Sequence, residues 1–160
     1  MVGKEYDIVG IGNAIVDVIS DVDDKFLEQQ ELRIGLMSLV DLDSIKSLSK
    51  KIEIKANVSG GSVANSIVAL AQNNINTAFI GKVGNDEVGD SFIKGLENEK
   101  VVFENSAQSD ESETGRCLVM VTPDAQRTMS TYLGISQKLN ASDVNDDVIA
   151  NSKITYLEGY

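Results

Sequence analysis

Short apolar runs alternate along the chain with segments whose apolar residues recur at helical spacing. This alternation predicts an α/β fold. Residues 14–22 also alternate and could continue the first strand beyond a kink at Gly12-Asn13. Residues 123–126 are typical of a hairpin turn. Strands are predicted at residues 6–12, 36–40, 53–59, 77–83, 101–107, 115–122, 127–133 and 154–157, and helices at 24–32, 43–51, 62–73, 86–99 and 142–152.

A pair of glycines, Gly60 and Gly61, joins a predicted strand to the helix at 62–73. Glycines let a ligand approach the backbone closely, and the first N–H groups of a helix have no partner within the helix. A hydroxyl-rich or phosphate-bearing ligand suits such a turn. The alternative is a strand-to-helix turn whose glycines serve sterics alone. Asn65 lies on the polar face of this helix, where solvation alone would also explain it.

Asn13 and Asp17 lie four residues apart among apolar neighbours. A carboxylate at the end of a buried strand should be paired or functional. Asp17 could accept hydrogen bonds from the vicinal hydroxyls of a sugar, and its charge would strengthen them. The alternative is a solvent-facing aspartate on an alternating strand.

Two other glycine-rich segments have simpler explanations. Gly10 and Gly12 follow a strand, as in a dinucleotide-binding turn, but Ile15 stands where that turn needs a small residue and no helix follows. An NAD-binding oxidoreductase is therefore a minor alternative. In residues 81–89 a tight turn, a helix cap and close helix packing account for the glycines and for Asp86.

Composition narrows the class of protein. The 160 residues are 42% hydrophobic and 24% charged, which suits one compact domain. The net charge of −11 repels phosphate backbones, so we expect no nucleic-acid partner. The sequence has no histidine and only one cysteine, Cys117, which excludes histidine catalysis and a cysteine-rich zinc site. No apolar run approaches the roughly 20 residues of a membrane span, and no signal-peptide pattern opens the chain. We therefore expect no membrane partner and a cytoplasmic location.

Three segments together resemble the N-terminal half of the PfkB (ribokinase) family of sugar and nucleoside kinases. They are residues 7–13 with Asp17, residues 60–66, and residues 81–89, in the family's order and spacing. Residues 114–134 further resemble the adenosine kinase branch. The resemblance covers essentially the whole chain.

The resemblance implies a ribokinase-like fold: a central, mostly parallel sheet flanked by helices, plus a small β-sheet lid. Lid strands are expected within residues 14–22, 36–41, 114–122 and 127–133. Residues 1–160 would form the N-terminal part of one kinase domain without its nucleotide-binding C-terminal half. The last predicted strand also stops where an α/β protein normally turns into its next helix. A small complete domain is the alternative.

The resemblance also implies a nucleoside site between lid and main sheet. Asp17 would hold the ribose 2′- and 3′-hydroxyls, and Asn13, Gly60, Gly61 and Asn65 would complete the sugar site.

By the same resemblance, Ile15, Leu39, Met129 and Thr131 would pack around the base. Arg127 would lie near the transferred phosphate when the lid closes.

The implied reaction transfers the γ-phosphoryl group of ATP, with Mg²⁺, to the 5′-hydroxyl of adenosine, a step of purine salvage. The family's catalytic base lies in a Gly-Ala-Gly-Asp segment, which this sequence lacks. We therefore predict no catalytic base or metal ligand in this chain, and no phosphorylation by the chain alone. Another PfkB kinase, for a free sugar or a different nucleoside, and a non-catalytic nucleoside-binding module are the alternatives. The expected assembly is a monomer or a lid-mediated homodimer.

Overall fold

The structure, a computed structural model, describes residues 4–104 and 112–158. Nine strands and five α-helices follow one another in this part of the chain. The strands are β1 (Tyr6–Ile11), β2 (Ile15–Asp21), β3 (Met37–Leu39), β4 (Ile54–Gly60), β5 (Thr77–Ile80), β6 (Val102–Phe103), β7 (Gly115–Val121), β8 (Arg127–Tyr132) and β9 (Ser152–Leu157). The helices are α1 (Asp24–Gln29), α2 (Leu42–Ser49), α3 (Ser62–Gln72), α4 (Glu87–Asn98) and α5 (Asp146–Ala150), with 3₁₀ helices at Gly134–Lys138 and Ala141–Asp143.

The strands form two sheets. Sheet A has the order β6-β5-β1-β9, and all its pairs are parallel. Sheet B has the order β3-β8-β7-β2-β4 and is mixed: β2 with β7 and β3 with β8 are parallel, and the other two pairs are antiparallel. The predicted ribokinase-like α/β class is confirmed, with a parallel sheet A and a second, mixed sheet B. Sheet B has five strands against four in sheet A, so in the described part of the chain it is not the smaller sheet.

The main core lies between the two sheets and the helices. Val16, Val18, Leu118 and Met120 bring one face of sheet B into this core. Helix α3 packs on β1 and β5 of sheet A, and α4 packs on β4 and β2 of sheet B and on β6 of sheet A. Three phenylalanine rings anchor the α4 side, with centroids 5.8 to 6.3 Å apart. A second, smaller cluster containing Tyr6, Val9 and Val148 packs on the opposite face of sheet A. Because the core occupies only one face of sheet B, its other face is free to line a cavity.

Residues 14–22 do not continue the first strand. The Gly12 amide still donates to the Ile80 carbonyl in sheet A at 3.1 Å, whereas Ile15 already pairs with Gly60 and Gly115 in sheet B. The chain thus crosses from one sheet to the other at Asn13 and Ala14.

Three other elements differ from the sequence predictions. The strand predicted at 53–59 forms as β4, but it is an edge of sheet B, which the predicted lid strands did not include. The helix predicted at 142–152 is divided into Ala141–Asp143 and α5, because Asn140 and Asn145 each cap a separate turn. Of the strand predicted at 101–107, residues 102–103 form β6 and residues 101 and 104 are not in a strand, while residues 105–107 lie outside the described part.

None of the helices in residues 4–104 and 112–158 is long and apolar enough to cross a membrane.

Candidate functional site

The free face of sheet B and the carboxyl ends of β1 and β9 enclose a cavity of about 650 Å³. This volume lies in the range of small-molecule sites. The 3₁₀ helix Gly134–Lys138 closes one side. The wall consists of Ile11, Gly12, Asn13, Ile15, Asp17, Met37, Leu39, Gly61, Ser62, Val63, Cys117, Met129, Thr131, Leu133, Ser136, Gln137, Leu139, Leu157 and Glu158.

One line of paired residues runs straight across sheet B, and we call it the cross-strand row. It consists of Leu39 (β3), Thr131 (β8), Cys117 (β7), Asp17 (β2) and Val58 (β4), each paired with the next. Paired residues point to the same face of a sheet, and neighbouring strands lie about 4.8 Å apart. Leu39 and Asp17 are three strand spacings, or roughly 14 Å, apart on this face. The row therefore carries a carboxylate at one end of the cavity and an apolar side chain at the other.

Asp17 is a half-buried carboxylate facing the cavity. Burial raises the pKa of its carboxyl group. Within the described ranges no side chain or backbone amide donates a hydrogen bond to it, so its acceptor capacity is unused. A partly desolvated carboxylate without donors is costly unless a ligand supplies them. Asp17 is thus suited to accept hydrogen bonds from a hydroxyl-bearing ligand.

The turn at Gly60 and Gly61 brings backbone donors beside this carboxylate. Gly61 has φ +101°, and a Cβ there would overlap the Asn13 carbonyl oxygen, so the turn requires glycine. Gly61 caps α3 without a side-chain hydrogen bond, which leaves the first amides of the helix uncapped at the cavity. A Cβ at Gly60 would lie 2.5 Å from Asp17 Oδ2. Both glycines therefore bring the backbone unusually close to the site.

The opposite end of the cavity is apolar and open. Met37 and Leu39 are 51% and 62% exposed, which is high for apolar side chains on a strand. Met129 pairs with Met37 and lies beside them on β8. Leu133 and Leu139 extend this surface toward the 3₁₀ helix. A flat apolar ligand group would be well accommodated here.

Sequence reasoning did not select the two residues at the middle and the rim of the site, Cys117 and Gln137. Cys117 is buried within the cross-strand row, and Thr131 Oγ1 donates to its Sγ at 3.2 Å. Burial raises the pKa of the Cys117 thiol to about 11, and the charge of Asp17 adds to that rise, while the Thr131 contact opposes it. The thiol is thus protonated at neutral pH. The signal that could have found Cys117 is the pairing of β7 with β2, which puts it opposite Asp17. A lone cysteine in a sequence gives no such information.

The predicted site residues divide into two groups. Asn13, Ile15, Asp17, Leu39, Gly61, Met129 and Thr131 all line the cavity. Gly60 lies behind Asp17 and contacts it without reaching the wall. Asn65 and Arg127 are exposed and do not line the cavity. Arg127 lies at the hairpin end of β8, on the same side of the strand as Met129 and Thr131 but beyond the wall.

The segment 81–89 supports the site without contacting it. The Asp86 carboxylate caps α4 by accepting from Gly89 N at 2.8 Å, and it accepts from Thr114 N at 2.8 Å and Thr114 Oγ1 at 2.7 Å. Thr114 immediately precedes β7, the central strand of the row. Burial opposes ionisation of Asp86, but these donors and the nearby Arg116 outweigh it and lower its pKa. The interpretation of this segment as a structural one agrees with its contacts.

Metal ligands do not gather at this site. Among residues 4–104 and 112–158 no three aspartate, glutamate or cysteine side chains come together in a way that could hold a metal ion. Proteins usually hold Mg²⁺ through one or two carboxylates together with waters and substrate phosphates, so the described residues provide no all-protein metal cage.

Comparison with known proteins places this geometry in a family. A family model described as pfkB family carbohydrate kinase matches residues 34–160. The crystal structure of adenosine kinase from Sinorhizobium meliloti is 38% identical, with a TM-score of 0.88 over 98% of this chain and 48% of that one. Adenosine kinase from Schistosoma mansoni in complex with adenosine shares the fold, with 21% identity and a TM-score of 0.82 over 97% of this chain and 47% of that one. Guanosine-inosine kinase of Escherichia coli K12 is 26% identical over 96% of this chain and 37% of its own length.

The chain belongs to the pfkB family of carbohydrate kinases, which confirms the resemblance seen in the sequence. It has the family's ribokinase-like fold and spans about half the length, or less, of the relatives it matches. Adenosine kinases and a probable sugar kinase from Rhizobium etli are among its relatives in structure, and guanosine-inosine kinase and ribokinase are among its relatives in sequence.

Proposed function

We propose that this chain is the substrate-binding half of a nucleoside kinase that phosphorylates the 5′-hydroxyl of adenosine. The cross-strand row carries the proposal, because a carboxylate with no donor among the described residues and an exposed apolar surface lie roughly 14 Å apart in one cavity. A ligand that uses both ends needs a polyhydroxyl group at one end and a flat apolar group at the other. A nucleoside has this form.

In this proposal the ribose lies over β2. Asp17 accepts hydrogen bonds from the 2′- and 3′-hydroxyls, Asn13 and Gly61 line the sugar site, and Gly60 lies against Asp17. Asn65, on the first turn of α3, lies outside the cavity wall and is given no ribose contact. The uncapped amides of α3 supply donors beside the Asp17 acceptor. Donor and acceptor groups of the protein would then contact the same ribose ring. This would fix the orientation of the ribose and also contribute to the affinity for the nucleoside.

The base would lie over β8 and β3 in the same proposal. Ile15, Leu39, Met129 and Thr131 would contact it, with Met37 and Leu133 extending the apolar surface. A purine that covered the exposed faces of Met37 and Leu39 would gain binding affinity through the hydrophobic effect. A free pentose at Asp17 would leave this surface uncovered, which favours a nucleoside over a free sugar.

The phosphoryl-transfer machinery is not built from the described residues. ATP supplies the phosphoryl group and Mg²⁺ neutralises its charge in this class of reaction. This chain has neither a Gly-Ala-Gly-Asp segment nor a cluster of metal ligands in its described part. We therefore assign it substrate alignment and water exclusion by sheet B acting as a lid, with Arg127 approaching the phosphate only on closure. No catalytic residue is assigned in the chain, and the chain alone should not turn over.

The test measures the binding and the phosphorylation of adenosine and of ribose by the intact gene product. Calorimetry should detect adenosine binding and no ribose binding at the same concentration, and adenosine should be phosphorylated when ATP and Mg²⁺ are added. Turnover of ribose without turnover of adenosine would reject the nucleoside proposal and leave the family assignment intact. Tight adenosine binding without turnover would favour a non-catalytic binding module.

One alternative is supported by a specific observation. The guanosine-inosine kinase relative acts, by its name, on 6-oxo purine nucleosides. The apolar surface that we assign to the base suits any purine, so the proposed substrate class is purine nucleosides, with adenosine as the first choice. We further propose a cytoplasmic enzyme that is a monomer or a homodimer formed through sheet B.

A further inference from the structure

The base end of the cavity has few polar groups, and most of them are already engaged. Thr131 Oγ1 donates to Cys117 Sγ at 3.2 Å. Ser136 Oγ donates to the Leu133 carbonyl oxygen at 2.6 Å. The protons of both hydroxyls are thereby committed within the protein. Neither side chain can donate to a ligand without giving up a contact.

Gln137 differs from these two residues. It is exposed, and its side chain lines the rim of the cavity beside Ser136. No residue in the described ranges hydrogen-bonds its amide. A side-chain amide carries a carbonyl acceptor and an NH₂ donor side by side, and rotation by 180° exchanges them. Gln137 thus offers a free donor–acceptor pair at the base end.

The backbone that carries Gln137 is held firmly. Gly134 has φ +57° and packs so closely on the Glu113 carbonyl that a Cβ would overlap it. Ile135 N donates to the Glu113 carbonyl oxygen at 2.9 Å, and the Ile135 side chain is completely buried. The 3₁₀ helix is therefore fixed to the start of β7. Gln137 is presented to the cavity from a fixed position rather than from a loose loop.

We infer that Gln137 is a specificity-determining residue that binds the edge of the purine formed by N1 and the group at position 6. This inference rests on the proposed function. A 6-amino purine has a donor at position 6 and an acceptor at N1, and a 6-oxo purine has the reverse. One rotation of the Gln137 amide pairs with the first and the other rotation pairs with the second. The site should therefore accept 6-amino and 6-oxo purine nucleosides with little discrimination between them.

The experiment removes the side-chain amide of Gln137 in one arm and the purine group at position 6 in the other. Gln137→Met keeps the length of the side chain and removes both hydrogen bonds. Calorimetry on the intact gene product would compare adenosine, inosine and purine riboside, which has only hydrogen at position 6. We expect Gln137→Met to weaken adenosine and inosine binding by about three- to tenfold each and purine riboside binding by clearly less.

Gln126→Met is the matched control. Gln126 is exposed in the hairpin turn and does not line the cavity, so its variant should bind all three nucleosides as the wild type does. Equal losses for the three nucleosides in Gln137→Met, or no loss, would overturn the inference while leaving the proposed function in place. Failure of the wild type to bind any purine nucleoside would instead reject the proposed function itself.

Discussion

At the scale of single residues, Asp17 combines a functional position with an energetic cost. It is partly desolvated and no described donor compensates it, so its burial favours the protonated form. When the pKa of a group is higher in the folded than in the unfolded state, the folded protein loses stability as the pH rises from the unfolded-state pKa through the folded-state pKa. The native protein is therefore less stable at pH 7 than at pH 4 with respect to this group.

Asp17→Asn should consequently stabilise the chain. The amide carries no charge to desolvate, so we expect the free energy of unfolding at pH 7 to rise by on the order of 1 kcal/mol. The gain should shrink as the pH falls toward 4, because the raised pKa means that a growing fraction of the wild-type carboxyl group is protonated. Thermal unfolding followed by circular dichroism at both pH values measures this. Asp21→Asn, an exposed change on the same strand, should show no comparable gain. A lower melting temperature for Asp17→Asn at pH 7 would show that the carboxylate is stabilising after all.

The same substitution should harm ligand binding. Hydrogen bonds to a charged group contribute about 1.5–3 kcal/mol, so Asp17→Asn should weaken adenosine binding by roughly ten- to a hundredfold. Calorimetry with the intact gene product tests this. A more stable protein that binds less tightly is the pattern expected of a functional residue. Unchanged adenosine affinity would remove Asp17 from the sugar site.

Gly60 acts through Asp17. An alanine Cβ would lie 2.5 Å from Asp17 Oδ2, and the carboxylate is the movable end of its side chain. We expect Gly60→Ala to displace the carboxylate and weaken adenosine binding by about tenfold, with little loss of stability. The double variant Gly60→Ala/Asp17→Asn should bind no more weakly than Asp17→Asn alone, because both changes affect one contact. Fully additive losses in that cycle would mean that Gly60 contributes independently of Asp17.

At the scale of elements, Asp86 joins a helix to the central strand of the site. Besides capping α4, it accepts two hydrogen bonds from Thr114 at the start of β7. Asp41 caps α2 by accepting from Ser44 N at 2.8 Å, and its hydrogen bonds go to residues of its own helix, so it makes a matched comparison. We expect Asp86→Ala to cost about 3 kcal/mol and Asp41→Ala about 1 kcal/mol. Chemical denaturation measures both values.

The pH dependence provides a second check on Asp86. Its pKa is lowered in the folded protein, so its contribution is fully present above the unfolded pKa and is lost as the pH falls below it. The difference between wild type and Asp86→Ala should therefore narrow at acidic pH. Equal costs for the Asp86 and Asp41 variants would show that the bonds to Thr114 add nothing beyond the cap.

The helices and strands differ in how well the sequence alone could predict them. Apolar patterns located β1, α3 and α4 closely. Strand β1 is a short apolar run, and the apolar stripes of α3 and α4 each begin directly after a glycine turn or an aspartate cap. Asn13, Asp17 and Gly61 could be placed at one site only through the resemblance of their segments to the pfkB family, because nothing in the residues themselves brings the separate segments together. Alternation alone could not assign β4 to sheet B, since it fixes which residues share a face and not which strand is the neighbour. The 3₁₀ helix that presents Gln137 has five residues and no periodic pattern, so its position depends on the tertiary contacts of Glu113.

At the scale of the whole molecule, sheet A ends in two unlike edges. The β9 edge is six residues long, with Ile154 59% and Leu157 65% exposed, whereas β6 has two residues and Val102 43% exposed. A long edge strand with apolar side chains is a template for pairing with another chain. The net charge of −11 opposes such association, and salt screens that repulsion.

The 160-residue chain should therefore self-associate through β9, and more strongly as the salt concentration rises. Sedimentation velocity over a range of concentrations, at low and high sodium chloride, would measure this. Ile154→Lys adds a charge to the long edge and should restore the monomer, since a lysine on an edge strand discourages pairing. Val102→Lys adds the same charge to the short β6 edge and should leave association unchanged. If both variants reduce association equally, general charge repulsion explains the effect, and β9 has no special part in it.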